Sequence, residues 1–384
     1  MLSCCKPVVM KIIIAPDKFK GSLTSFQVCE IVAKSLREKN ENIQVLEFPM
    51  ADGGDGFAAV MKHYLQTETV DCKTIDALGR EINASWEWDN KQNTAIIEMA
   101  VASGLALLKK EEQNPMLTST LGTGILIKNA IEKGATRILL GLGGSATNDA
   151  GMGILAALGF QFADEKENLL AASGKNLCSV KKIIQPESKP AVQFQIAADV
   201  KNVLYGPQGA AYIFAPQKGA NEDEVKILDE GLRNFALVVE GQTGHEVSTI
   251  EGTGAAGGIA AGLMAFFDVE IKSGIELIVG NSNLKANLED VDLIITGEGK
   301  IDAQSGEGKV IGYIASLAKK YNIPCKAVCG NLDLDQNGLQ RLGLAAVLAI
   351  QDGSISGEEA ISNAGALLAE RIATNPGFLE VAPG

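Results

Sequence analysis

The chain is predicted to fold as an α/β protein, a flavodoxin-like doubly wound parallel sheet with a second α/β domain inserted into it. Short β-branched runs alternate with helical stretches at both ends of the sequence and together supply five strands, the count of that sheet. Between them, from about residue 67 to 285, the alternation breaks. Segments such as Thr69–Ile75 and Ile82–Trp88 instead show the two-residue period of strands with one wet face. The first domain is therefore expected to be discontinuous, 10–66 with 286–384, around an inserted 67–285.

The elements of the outer domain follow in order. Lys11–Ala15 (KIIIA) is a strand, and Thr24 and Gln27 have the spacing of a capping box at the start of a helix. Val28, Ile31, Val32 and Leu36 give that helix one apolar face, and Ile43–Phe48 is the second strand. Far downstream, Val291–Ile295 reads as a buried strand that ends in the loop Thr296-Gly-Glu-Gly-Lys-Ile-Asp302. A helix over Val310–Tyr321, strands at Cys325–Cys329 and Ala345–Ile350, and a helix over Gly357–Ile372 close the set. In the insert, Ile125–Lys133 and Met152–Leu158 read as helices, Arg137–Leu142 and Val192–Ala198 as strands, and 164–168 and 185–190 as surface loops. No internal repeat is visible.

Composition narrows the chemistry. With 384 residues and 46% hydrophobic content, the chain can build two domains, each with a core. No apolar run approaches the ~20 residues that span a bilayer, so no membrane is expected as a partner. The start, MLSCCKPVVM, lacks the apolar core of a signal peptide, and 1–9 reads as a short extension ahead of Met10. A net charge of -13 without a basic run argues against nucleic acid. Anionic ligands must then rely on local lysines, helix N-termini or a divalent cation. Seven cysteines without a CxxC pair and only two histidines argue against structural zinc and fit a reduced, cytoplasmic setting. Oligomeric state is left open, with a homo-oligomer allowed.

The most chemically loaded segment is Gly143-Gly144-Ser145-Ala146-Thr147-Asn148-Asp149-Ala150-Gly151, between a strand and a helix. Glycines there let backbone N–H groups converge, and the helix start adds outward amides and a dipole suited to phosphate. Ser145 and Thr147 add hydroxyl donors, while Asn148 and Asp149 suit a metal or a substrate hydroxyl. The competing reading is a tight turn whose hydroxyls cap the next helix. Thr120, just before LGTG, and Thr123, within it, face the same choice, and Gly252–Gly258 reads as a close-packing segment. In the outer domain, a flavodoxin order puts the topological switch between the strands ending at Ala15 and Ile295. Asp17-Lys-Phe-Lys-Gly-Ser22 and the TGEGKID loop lie there, with Ala51-Asp-Gly-Gly-Asp-Gly56 on the neighbouring strand end.

Taken together, APDKFKGSLTS, ADGGDG, LGTG, GGSATNDAG, APQKGA and TGEGKID resemble the type I glycerate kinases over nearly the whole chain from Met10. Four positions depart from the family pattern: Ala150 and Ala215 for glycine, Ala198 for cysteine and Val203 for proline. The resemblance implies ATP-dependent, Mg2+-assisted phosphorylation of D-glycerate, most simply at the 2-hydroxyl, in a cleft between two domains. The alternatives are transfer to the 3-hydroxyl or to another small hydroxy acid, or a silent nucleotide- or acid-binding protein. Asp199 and Asp149 are the candidates for accepting the substrate proton, with Lys18 as a third catalytic group. Asp17, Lys20, Gly143, Gly144, Ser145, Thr147, Asn148, Thr120 and Thr123 are the candidates for holding substrate or phosphate. Asp52, Asp55, Glu298 and Asp302 are the candidate Mg2+ ligands, although turn formation accounts for Asp52 and Asp55 equally well.

Overall fold

The computed structural model describes residues 10–306, 308–353 and 355–379, so the expected 1–9 extension lies outside it. The chain divides into two compact units, one running to Asp52 and resuming at Ile275, the other Gly53–Gly274. Both crossings fall earlier than the sequence suggests. The helix Phe57–Leu65 buries Phe57, Val60 and Met61, and its Ala58 N–H donates to Glu98 Oε1 at 2.7 Å. Glu98 ends a strand of the inserted unit, and that hydrogen bond ties the helix to it. Among the described residues no helix is long and apolar enough to cross a membrane, and Cys29, Cys72, Cys178, Cys325 and Cys329 are free thiols.

In the outer unit the sheet runs Ala346–Ala349, Cys325–Leu332, Leu293–Ile301, Lys11–Pro16, Gln44–Glu47, with every neighbouring pair parallel. In chain order this is 2-1-3-4-5, the flavodoxin order, with its switch between Lys11–Pro16 and Leu293–Ile301. Ile12, Ile13 and Ile14 are fully buried, as a central parallel strand covered on both faces requires. The capping box forms: Gln27 N–H donates to Thr24 Oγ1 at 3.2 Å and Thr24 N–H to Gln27 Oε1 at 2.9 Å. The helix it opens, Ser25–Lys39, packs Val28, Val32 and Leu36 into one core with Ile12, Ile14, Leu368 and Ile372.

Two elements differ from the sequence reading. The strand expected to stop at Ile295 continues to Ile301, so most of TGEGKID is sheet rather than loop. Its glycines serve close approach: a Cβ on Gly297 would stand 2.5 Å from Val328 O, and one on Gly299 2.9 Å from Lys20 N. The expected closing helix is two, Gly357–Ser362 and Ala364–Thr374, separated at Asn363, where φ is -110° and ψ 15°.

The inserted unit holds a six-stranded sheet in the order Asp268–Lys272, Gln193–Ala197, Arg137–Gly141, Thr94–Glu98, Glu81–Asp89, Glu68–Ile75. The first four run parallel, and the last two, which carry the alternating segments, pair antiparallel. Register sets Glu98 beside Gly141, Gly141 beside Ala197 and Ala197 beside Lys272, a single row of parallel strand ends. Such a row at the carboxyl edge is where open α/β sheets bind ligands.

Candidate active site

The glycine-rich loop and Asp199 both leave that row. Gly53 and Gly54 press against it: a Cβ on Gly143 would fall 2.3 Å from Gly54 Cα, and one on Gly53 3.0 Å from Ala197 Cβ. The second half of ADGGDG is thereby brought to the start of GGSATNDAG, within one unit. Gly144 (φ 75°), Ala150 (φ 51°) and Gly151 (φ 71°) take left-handed conformations. Ala150 does so with a side chain, at the position where the family pattern has glycine. Ala215, the other replacement, has φ -70° and carries no such strain. Asp199 is partly exposed and accepts from Gly274 N–H at 3.1 Å.

Asp149 is enclosed instead. Its Oδ2 accepts from Thr120 N–H (2.8 Å), Thr120 Oγ1 (2.9 Å) and Gly153 N–H (3.3 Å), and its Oδ1 from Gly151 N–H (3.1 Å). Burial pushes the Asp149 carboxyl up, against those same hydrogen bonds. With both oxygens occupied and no exposed surface, it fastens two helix starts together and is not placed to take a substrate proton. Thr120 shares that corrected role, since its Oγ1 also accepts from Ile154 N–H at 3.1 Å. Thr123 turns inward too, donating to Ser103 Oγ at 2.8 Å. Neither threonine presents its hydroxyl to a phosphate.

The residue that sequence reasoning missed is Lys218. It is 2% exposed, and its Nζ donates to Ser145 Oγ at 2.7 Å and to Thr147 O at 2.8 Å. Burial pushes its pKa down to about 7, with the Asp149 carboxylate holding it up. Lysine is rarely buried so fully. A signal was present: Lys218 is the one charged residue between Gly206 and Ala220. Beside it, Thr147 Oγ1 and both polar side-chain atoms of Asn148 are buried without a hydrogen-bond partner.

The outer unit gathers a different set. Asp17 follows the Lys11–Pro16 strand at the switch point, is 6% exposed, and accepts from Lys18 N–H at 2.7 Å. Burial pushes its carboxyl up to about 7, with the Asp52 carboxylate adding to the rise and the Lys18 ammonium opposing it. Lys18 Nζ stands 3.6 Å from Asp52 Oδ1, while Lys20 is exposed. Burial also raises the Glu298 carboxyl, opposed by a hydrogen bond from Ser305 Oγ. Asp302 pairs with Lys300 at 3.4 Å and accepts from Gln304 N–H at 3.0 Å. Burial works to raise it, yet those partners hold it below the usual carboxylate range.

The four candidate metal ligands do not form a shared cage. Asp55 is exposed and belongs to the inserted unit, Asp302 is engaged by Lys300, and among the described residues no three His, Cys, Asp or Glu side chains are grouped to hold an ion. The donors that remain nevertheless suit a hard cation bound largely through phosphate and water. Asp17, Asp52 and Glu298 repel one another, with Lys18 offsetting part of that charge, so negative charge is concentrated on oxygen ligands there.

Comparison with known proteins agrees with this organisation. The Glycerate kinase family matches residues 12–375. The chain is 41% identical to the Glycerate 2-kinase of Escherichia coli (strain K12) over 345 residues, 89% of this chain and 90% of the relative. It is 39% identical to the Glycerate kinase of Halalkalibacterium halodurans over 367 residues, 95% of this chain and 96% of the relative. A crystal structure of a protein from Salmonella typhimurium LT2, assigned as glycerate kinase 2, superposes with a TM-score of 0.83 at 35% identity, covering 97% of this chain and 98% of that one. Fold, strand-end loops and full-length similarity agree: the chain is an enzyme of the glycerate kinase family.

Proposed function

We propose that the enzyme transfers the γ-phosphoryl group of ATP to the 2-hydroxyl of D-glycerate, giving 2-phosphoglycerate. The observation that carries this reading is the row Glu98, Gly141, Ala197 and Lys272, from which the glycine-rich loop and Asp199 both leave. Phosphoryl transfer asks a protein mainly to position its reactants and neutralise charge. The Gly143–Gly144 turn and the Ser145 hydroxyl supply donors for anionic oxygens, and Asp199 accepts the proton of the attacking hydroxyl. In the outer unit Lys18 supplies positive charge. Asp52 and Glu298 would hold Mg2+, which when bound neutralises the phosphates. The name of the E. coli relative supports transfer to the 2-hydroxyl.

A coupled ADP-release assay with ATP, Mg2+ and a panel of small hydroxy acids tests this. We expect ADP release with D-glycerate and none when EDTA removes the metal. Turnover without metal would overturn the Mg2+ assignment, and silence with every hydroxy acid would overturn the kinase reading.

A further inference from the structure

Resting on the phosphoryl-transfer reading above, we propose that Lys218 is a positioning residue that aims the Ser145 hydroxyl at an anionic oxygen of a substrate. That oxygen belongs to a carboxylate or to a phosphoryl group. Lys218 ends the short turn Pro216–Lys218, yet both of its acceptors lie more than seventy positions upstream, in the glycine-rich loop. An ammonium has donors and no acceptor. Ser145 Oγ must therefore accept in the 2.7 Å bond, and the hydroxyl's single proton has to point elsewhere. Among the described residues no acceptor takes it. The second Lys218 bond, to Thr147 O, fixes the same loop two residues further on and leaves the ammonium no freedom to swing away.

The neighbouring atoms point the same way independently. Thr147 Oγ1, Asn148 Nδ2 and Asn148 Oδ1 are buried and unpartnered, an arrangement natural proteins seldom tolerate without an occupant. A ligand bearing several oxygens relieves such groups, whereas a loop built only to turn the chain has no use for them. The charge beneath the loop adds to this. Lys218 is held by two neutral oxygens and by no ion pair among the described residues, with Asp149 the charged group that faces it. An ammonium so placed, in a low-dielectric setting, attracts an anion at Ser145 far more strongly than a surface lysine does. Binding an anion there stabilises the ammonium form of Lys218 further.

The test uses the full-length enzyme and four variants: K218M, K218Q, S145A and K218M/S145A. The KM for ATP and the KM for the hydroxy acid are measured separately, each with the other substrate saturating, and circular dichroism confirms folding. K218M should raise one KM about 10- to 100-fold, the loss expected for a charge-assisted contact. K218Q, which keeps two N–H donors and loses the charge, should raise the same KM by less. S145A should raise it too, and the double variant should be no worse than the worse single, because both remove one interaction. A rise in the ATP KM identifies a phosphoryl oxygen, and a rise in the hydroxy-acid KM identifies a carboxylate.

Folded K218Q with both KM values unchanged overturns the inference, as do multiplying effects of K218M and S145A. If K218M does not fold, K218Q decides. If S145A alone raises a KM while K218Q does not, the anion-binding loop stands and only the role of Lys218 falls. If the unmodified enzyme turns over no hydroxy acid, the phosphoryl-transfer reading and this inference fall together.

Discussion

Replacing Asp149 with Asn separates a fastener from a proton acceptor. The amide keeps one oxygen, which can still accept from Thr120 N–H and Oγ1 at about the present 2.8 and 2.9 Å. Its nitrogen then faces the Gly151 N–H, which now donates to Oδ1 at 3.1 Å, so a donor meets a donor. One buried donor left unpaired costs about 1–3 kcal/mol, and the surviving bonds fall from charge-assisted to neutral strength. The sum is about 2–4 kcal/mol for the Gly53–Gly274 unit. At roughly 2–4 °C per kcal/mol for a unit of this size, its melting temperature should fall by about 5–15 °C. The assay is scanning calorimetry of the free enzyme, with kcat measured well below the transition. We expect the lower melting temperature together with kcat within about tenfold of the parent. An unchanged melting temperature with kcat reduced about 100-fold or more is the signature of a lost general base, and would refute the reasoning.

Three further outcomes follow from the same geometry. Asp199→Asn keeps an oxygen for the Gly274 N–H and loses the base, so kcat should fall by about 10²–10⁴ with little change in melting temperature; equal kcat excludes Asp199 as acceptor. Ala150→Gly relieves a left-handed φ of 51° and should stabilise the enzyme by up to about 1 kcal/mol in urea titration, and a clear loss would mean that the buried methyl matters more than the strain. Lys218 binds its proton less tightly in the folded chain, at about 7 against 10.5, so the unfolded chain holds more protons between those values and stability rises with pH. Urea titrations should show about 2 kcal/mol of that rise between pH 7 and 9 in the parent and its loss in K218M; a parent curve as flat as that of K218M would contradict the shift.

Legibility tracked the range of the interactions involved. The Thr24–Gln27 capping box spans three residues and was readable outright, as were the buried Ile12–Ile14 run and the alternating segments Thr69–Ile75 and Ile82–Trp88, now strands Glu68–Ile75 and Glu81–Asp89. The outer sheet's order followed from strand count and helix alternation. What failed depended on contacts distant in sequence. Gly297 and Gly299 look like loop glycines, and only the neighbouring Val328 and Lys20 backbones explain why they sit in a strand. The Phe57–Leu65 helix follows the second outer strand in sequence but is captured by Glu98, 40 residues on from Ala58. Asp149 has the composition of an active-site carboxylate, and nothing local reveals that Thr120 closes over it. Lys218 stood inside a motif quoted from the sequence, yet its partners Ser145 and Thr147 lie 73 and 71 positions away.

The central claim is phosphoryl transfer to the 2-hydroxyl of D-glycerate, and phosphorus NMR of the product mixture tests it most directly. Glycerate offers two hydroxyls on adjacent carbons, and a misplacement of about 1 Å can cost ~100-fold in rate, so one product should dominate. With D-glycerate, ATP and Mg2+, a single phosphomonoester resonance matching 2-phosphoglycerate should grow as the γ-phosphate signal of ATP declines. A dominant 3-phosphoglycerate resonance would contradict the assigned hydroxyl, and an undiminished ATP spectrum would contradict phosphoryl transfer itself.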